Sequence, residues 1–405
     1  MGLLPGYTTP RLQETLTRLG GKMPFEEAKE EFWFSHHTAV GEATCRRITY
    51  RNGRAAEAWD CQEAIRLEKE GFDEIEGQAK LVISADGSFI RLTNGEWREV
   101  KGLAVGEFET VDAALGVSEE VKTRNLSYFT RSYGVRDFET FALPELARRG
   151  LDEAETVVAV NDGAEWLQSF INYHCPTAAR ILDFAHALGH VAEAGRVIWG
   201  AESDTFKSWF EHCSHQLKHK PPQRTLAELS LLLPKAQGDE QATIIDNARF
   251  YLQRRLDMID YPYFQRRGYP IGSGSVESAH KQVVQRRMKQ AGMRWAPQHV
   301  NPILALRDLL CSDRWSEGWD NIVAFQLQQQ REKRCQRALA KQPSPSLPLT
   351  FSALQAAGLL PTPEVAEERP PAPKKPKRDP KDHPWRKGIW PTKESWRWSK
   401  YHQQN

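Results

Sequence analysis

Two apolar runs rich in β-branched residues, KLVIS and TVVAVN, lead directly or within one residue into an aspartate followed by glycine, Asp86-Gly87 and Asp162-Gly163. Such runs favour extended backbone, and glycine lets a chain leave a strand sharply. Each carboxylate is therefore expected at or near a strand end, the rim at which open α/β sheets bind ligands. Two further runs, WREVKGLAVGEFE and ARILDFAH, read as strands, and helical patterns fall between the runs at FETFALPELARRG and EWLQSFINYH. The order β-β(-β)-α-β-α-β, with room for a third strand before the first helix, is that of a mixed α/β core.

What flanks this core is helical. PRLQETLTRLGG and PFEEAKEEFWF each open on a proline suited to a first helical turn, and GEATCRRITYRNG supplies a basic third helix after a short break. That succession suggests a helix-turn-helix over 1–75, with Thr44, Arg46, Arg47 and Arg51 on the helix that would meet bases or phosphates in a major groove. The alternative is the plain end of a helical bundle. The first part of the core spans 76–186, an all-helical insertion 187–269, and the completion of the core 270–345. Residues 346–405 are rich in proline and charge, a composition that cannot bury enough apolar surface to order itself.

Composition narrows the class. No stretch approaches the ~20 consecutive apolar residues of a membrane span, and the first residues lack the basic leader and apolar core of a secretory signal. A cytoplasmic, nucleoid-associated protein is expected. The six cysteines, Cys45, Cys61, Cys175, Cys213, Cys311 and Cys335, form no CxxC pair and read as reduced, structural thiols. A net charge of +2 does not announce a nucleic-acid binder, so the argument falls to local charge: KQVVQRRMKQAGMRW, and the tail from Lys374 to Lys387, which would add nonspecific, salt-sensitive affinity.

A third acid sits on a different kind of element. In GYPIGSGSVES a glycine and serine loop opens a helix, with Ser275 as the expected cap and Glu277 in the first turn, where the helix dipole favours negative charge. Three clustered carboxylates repel one another unless they share divalent cations. In phosphoryl transfer two such ions clamp the attacking and leaving oxygens, and Mg²⁺ or Mn²⁺ best fits oxygen ligands. Lys281, Arg286, Arg287 and Lys289 continue that helix, where cations could reach phosphates flanking a bond being cut; a solvated basic face is the alternative.

The succession ISADG, VNDGAEW, LDFAH, GSGSVES and MKQAGMRW resembles the ISKra-type bacterial insertion-sequence transposases, relatives of the Mutator-like group. The resemblance covers roughly Thr9 to Trp315 and an HPWR motif near the end. It implies a ribonuclease H-like fold in which Asp86, Asp162 and Glu277 form a DDE site for two ions. It further implies hydrolysis of a phosphodiester at an element end, followed by attack of the freed 3′-hydroxyl on target DNA. Double-stranded DNA, both terminal repeats and target, and a homodimer or larger assembly are the implied partners. Asp183 and His186 in LDFAH match the D-x-x-H signature of the wider group, as possible accessory residues beside a core-packing alternative. Family members commonly carry a cysteine-rich, zinc-binding segment ahead of the region matching PRLQETLTRLG. Its absence from this sequence raises the expectation of a truncated copy or split-frame product, and with it the alternative of a catalytically silent, transposase-derived DNA-binding protein.

Other readings rank lower. A nuclease acting on an RNA–DNA hybrid or branched junction would need neither the insertion nor the helix-turn-helix, and a glycosidase suits the basic surroundings of Glu277 poorly. His212, His215 and His219 have helical spacing but read better as an exposed polar face than as metal ligands, and Trp199, Trp209 and Trp295 as packing residues rather than base-stacking platforms.

Overall fold

The computed structural model describes residues 4, 8–71, 80–111 and 120–341; the expected tail contacts from Lys374 to Lys387 lie outside these. The fold is mixed α/β, built on one five-stranded sheet of order β3-β2-β1-β4-β5. Strand β1 (Lys80–Arg91) pairs antiparallel with β2 (Trp97–Val111), which pairs antiparallel with β3 (Glu120–Arg131). On its other side β1 pairs in parallel with β4 (Thr156–Asn161), and β4 with β5 (Ala179–Leu182). Helices α4 (Val135–Phe141) and α5 (Leu143–Arg148) connect β3 to β4, and α6 (Glu165–His174) connects β4 to β5.

The two-residue period of β1 distributes its side chains among three cores. Leu81, Ile83 and Ala85 face α4, α5 and α6, packing on Phe138, Leu146 and Phe170. Val82 faces the other way, into a core shared with Val158, Val160 and the helices that follow β5. Those helices are α7 (Phe184–Trp199), α8 (Asp204–His219), α9 (Gln223–Ser230), α10 (Asp239–Gln253) and α11 (Tyr261–Arg266). Further along the same face Ile90 and Leu92 enter a third core, made with α1 (Pro10–Lys22), α2 (Phe25–His36), α3 (Glu42–Glu70), α12 (Gly274–Ala279) and α14 (Pro297–Cys311). Asp86 shares the alternation of Val82 and Ile90 and falls between the second and third cores.

The amino-terminal helices therefore share a core with the sheet. The expected basic third helix is part of the 29-residue α3, whose inner face buries Cys45, Ile48, Asn52 and Ala56. At Gly53 a β-carbon would stand 2.3 Å from the Pro302 carbonyl oxygen, so α3 and α14 cross in backbone contact. Arg131 of β3, 1% exposed, clamps the layers by pairing at 2.5 Å with both Asp60 of α3 and Asp308 of α14. Asp308 also accepts from the Thr130 amide at 2.9 Å and hydroxyl at 2.8 Å. The last described helix, α15 (Trp315–Lys341), packs Trp315, Trp319 and Ile322 against Ala55 and Leu306. Among the described residues no helix is long and apolar enough to cross a membrane, and the six cysteines are unpaired.

Candidate active site

Asp86 does not end a strand. β1 continues through it to Arg91, because the antiparallel pairing with β2 outlasts the parallel pairing with β4, which stops at Ile83↔Ala159. Gly87 permits close approach here, since a β-carbon would stand 2.5 Å from Glu99 Oε1. Where β4 parts from β1, the buried Asn161 bridges them, its Oδ1 accepting from the Ala85 amide at 2.7 Å. This fixes the backbone one residue before Asp86 to the backbone one residue before Asp162.

Asp162 does follow a strand end, and Gly163 takes the left-handed φ of +79° that releases the chain from β4. The Asp162 carboxylate accepts from the Ala164 amide at 3.0 Å, a bond that orients it over the turn. The insertion holds the same turn from outside. The Tyr251 hydroxyl of α10 donates to the Asp162 carbonyl at 2.6 Å, and Arg255, stacked 3.8 Å over the Tyr251 ring, donates to the Gly163 carbonyl at 3.0 Å. His190 of α7 stacks on the other side of Tyr251 at 3.9 Å.

Glu277 lies in the first turn of α12, with the side chain half in solvent. The expected cap is corrected: Ser273 holds the N-cap position and Ser275 is buried within the first turn, because the chain enters the helix already tied down. The tie is Asp183, 8% exposed, which caps α7 by accepting from the His186 amide at 2.9 Å and accepts from the Ser273 amide at 2.8 Å. The Phe184 amide also donates a hydrogen bond to the Ile271 carbonyl at 2.9 Å. Asp183 thus positions the Glu277 helix by anchoring the loop before it, while His186 is exposed, with its ring edge-on to His190.

The three acids share one electrostatic neighbourhood. The Asp86 carboxyl is pushed up to about 6, first by burial and then by the charges of Asp162 and Glu277, against the opposing pull of the Gly87 amide and of His186. Among the described residues no three His, Cys, Asp or Glu side chains stand close enough together to enclose an ion. The acids share a field while their side chains remain apart.

Beneath Asp86 lies a histidine that the sequence reading passed over. His280 is 5% exposed, with Nε2 3.7 Å from Asp86 Oδ2; neither ring nitrogen makes a well-formed hydrogen bond, and the nearest polar partner is Asp86 itself, through its backbone and its carboxylate. Burial holds its pKa down, to about 4. Its signal in the sequence was the spacing from Glu277, three residues on and hence on the same side of a helix. Tyr251 and Arg255 carried no local signal, because their role arises only from the packing of α10 on the turn after β4.

The cations of this helix divide. Lys281 and Arg286 are exposed, with Lys281 Nζ 3.7 Å from Glu277. Lys289 reaches Ser88, two residues beyond Asp86 on the same face of β1, at 2.8 Å. Arg287 is corrected: it is 1% exposed, donates to the Gly20 carbonyl at 3.0 Å and lies against Phe25 and Trp295, so it is a packing residue out of reach of DNA. The helix also leaves α-geometry at His280–Gln285, a π-helical stretch, before a last α-turn, α13 (Arg286–Met288).

The expected groove-reading residues on α3 are likewise divided. Arg47 is exposed, but Thr44 is partly buried, Arg46 pairs with Glu42, and Arg51 donates to Gln13 of α1 at 2.9 Å. The inner face of α3 is buried, and Arg51 is taken up in the packing of α3 on α1. His212, His215 and His219 are exposed along α8, and Trp295 is buried with its indole N–H on the Met288 carbonyl. No protein-family model matches the chain, and no curated protein is significantly similar to it.

Proposed function

We propose that the protein is a DDE-type DNA transposase of a bacterial insertion sequence, acting in the cytoplasm on double-stranded DNA as a homodimer or larger assembly. The observation that carries this reading is that the charges of Asp162 and Glu277, held on two other elements, both bear on Asp86, with Glu277 returning to the sheet after a helical insertion. Three antiparallel strands followed by two parallel ones support a ribonuclease H-like core.

The donor set is all carboxylate, which fits hard divalent ions such as Mg²⁺ or Mn²⁺, and the mutual repulsion felt at Asp86 is the kind a cation relieves. Asp86, Asp162 and Glu277 would hold two such ions, which supply charge neutralisation and activation of the attacking oxygen. The chain's own residues do the rest. Asn161 and the Gly163 turn fix the spacing of the two aspartates, Asp183 fixes the approach of the Glu277 helix, and Lys281, Arg286 and Lys289 offer cations to phosphates on either side of the scissile bond. Held in this way, water and then a freed 3′-hydroxyl can attack in succession at one site without the site being rebuilt.

The test is a cleavage and strand-transfer assay on the element's own ends in Mg²⁺ or Mn²⁺, comparing wild type with Asp162→Ala. Metal-dependent products present in the wild type and absent from the variant are expected. DNA binding without any such product in either protein would overturn the reading in favour of a silent DNA-binding protein.

A further inference from the structure

The inner side of the proposed site contains a buried polar group with no well-formed hydrogen bond. His280 is more than nine-tenths buried, and polar groups so buried are nearly always well hydrogen-bonded, so a ring whose nitrogens make no well-formed bond calls for an explanation. Three features of the fold converge to place this ring.

The first is the π-helical stretch His280–Gln285, which begins at this residue; π-turns are rare and recur at functional sites. Its carbonyls are satisfied from behind by the buried Arg307, which donates to Val283 and Gln282, so the irregular geometry is supported on purpose-built packing. The second is Gly102, the cross-strand partner of Asp86: a β-carbon there would stand 2.9 Å from His280 Cε1, so a side chain at this position would close the slot the ring occupies. The third is the aim of the ring, with Nε2 3.7 Å from Asp86 Oδ2 while Asp86 Oδ1 is already engaged by the Gly87 amide at 2.6 Å.

We propose that His280 is a positioning residue for Asp86, donating Nε2–H to Oδ2 and so fixing the orientation of the carboxylate that would hold a divalent cation. The inference rests on the metal-site reading above and adds to it a named outer-shell partner. Such partners orient ligating carboxylates, and their removal typically weakens metal affinity ~10–100-fold.

The experiment is titration of the full-length protein with Mn²⁺, followed by calorimetry and by the electron paramagnetic resonance signal of free Mn²⁺, with no DNA present. Asp86→Asn gives the scale of loss for a direct ligand. His280→Phe, which fills the slot with a ring that lacks a donor, is expected to weaken Mn²⁺ binding ~10–100-fold. His280→Gln, which places an N–H near Nε2, is expected to recover most of the affinity, and His280→Asn, whose N–H falls near Nδ1, to recover little. Equal Mn²⁺ affinity in wild type and a folded His280→Phe would overturn the positioning role and leave the metal site standing. If His280→Phe fails to fold, the Gln and Asn variants decide, and equal affinity in those two overturns the role. A wild type that binds no Mn²⁺ overturns the metal site and this inference together.

Discussion

The Gly163 turn is the point at which the fold can be tested most sharply. Replacing Gly163 by alanine places a methyl group on a residue with φ of +79°, a conformation that costs an L residue ~1–2 kcal/mol. The methyl would stand 2.8 Å from both the Tyr251 hydroxyl and Arg255 Nε, and 3.0 Å from Leu182 Cδ1. The two polar groups are ends of side chains, but neither is free to retreat: Tyr251 is bonded to the Asp162 carbonyl and Arg255 to the Gly163 carbonyl. Giving up one such bond adds roughly 0.5–3 kcal/mol, depending on charge, so the total loss is about 1.5–5 kcal/mol. Urea denaturation of wild type, Gly163→Ala, Tyr251→Phe and the double variant measures it. Because Tyr251→Phe removes one of the opposing atoms, alanine at 163 should be less harmful in that background, with a coupling of about 1 kcal/mol or more. Cleavage by Gly163→Ala should fall ~100-fold through displacement of Asp162, as small misplacements of a reacting group do. A stability loss under about 0.5 kcal/mol, or strict additivity with Tyr251→Phe, would refute the claim that α10 clamps this turn.

Other consequences follow from the same packing. Asp308→Ala leaves Arg131 with one of its two carboxylates and strips three donors of their acceptor, so a loss of about 3–5 kcal/mol is expected by chemical denaturation, with the salt dependence of DNA binding unchanged. Glu145 is fully buried beside Arg314; burial, the largest influence, would raise its pKa, but the charges of Arg314 and Arg148 together with hydrogen bonds from Ser127 and Arg314 hold it below its ordinary value. Its stabilisation is therefore complete above the unfolded carboxylate range and is lost as pH falls through the lowered folded value, so the acid limb of a stability–pH curve should flatten in Glu145→Gln. Lys289→Ala and Arg286→Ala should each lower the slope of log affinity for DNA against log salt by about 1, whereas Arg287→Ala should leave the slope alone and destabilise the fold by about 2–3 kcal/mol.

The inner strands were legible because they are short continuous runs of β-branched and apolar residues, as strands covered on both faces are. The Asp162-Gly163 turn was legible because glycine readily takes the left-handed φ that ends a strand. Asp86 was misread as a strand end for an instructive reason: the same Asp-Gly pair can release a chain or admit a close neighbour, and only the pairing of β1 with β2 decides which. β3 was hard to see because EVKTRNLSYFTR mixes charge into the alternation. Arg287 read as a DNA contact since basic residues on a helix normally face water, and nothing local reveals that Phe25 and Trp295 enclose it. For the same reason the amino-terminal helices looked like a separate reading head. Their spacing reveals an apolar face, and the identity of the surface that covers it is a long-range fact.

That long-range packing also accounts for how the insertion is joined to the sheet. It enters through Asp183, whose two carboxylate oxygens cap α7 and hold the loop before Glu277, and it reaches back through Tyr251 and Arg255 onto the turn that carries Asp162. Two of the three acids thus depend for their placement on the root and on the inner helix of the insertion, while the third, Asp86, depends on β2 and His280. Any movement of α10 relative to the sheet must shift Asp162 against Asp86, since Asn161 holds only the strand end and not the turn beyond it. In the proposed transposase, a displacement of the insertion would therefore be felt first at the Asp162 turn. That makes Tyr251→Phe the variant to compare in cleavage of paired and single ends: a loss confined to paired ends would place the sensing in α10, and an equal loss on both would reduce Tyr251 to a fixed support.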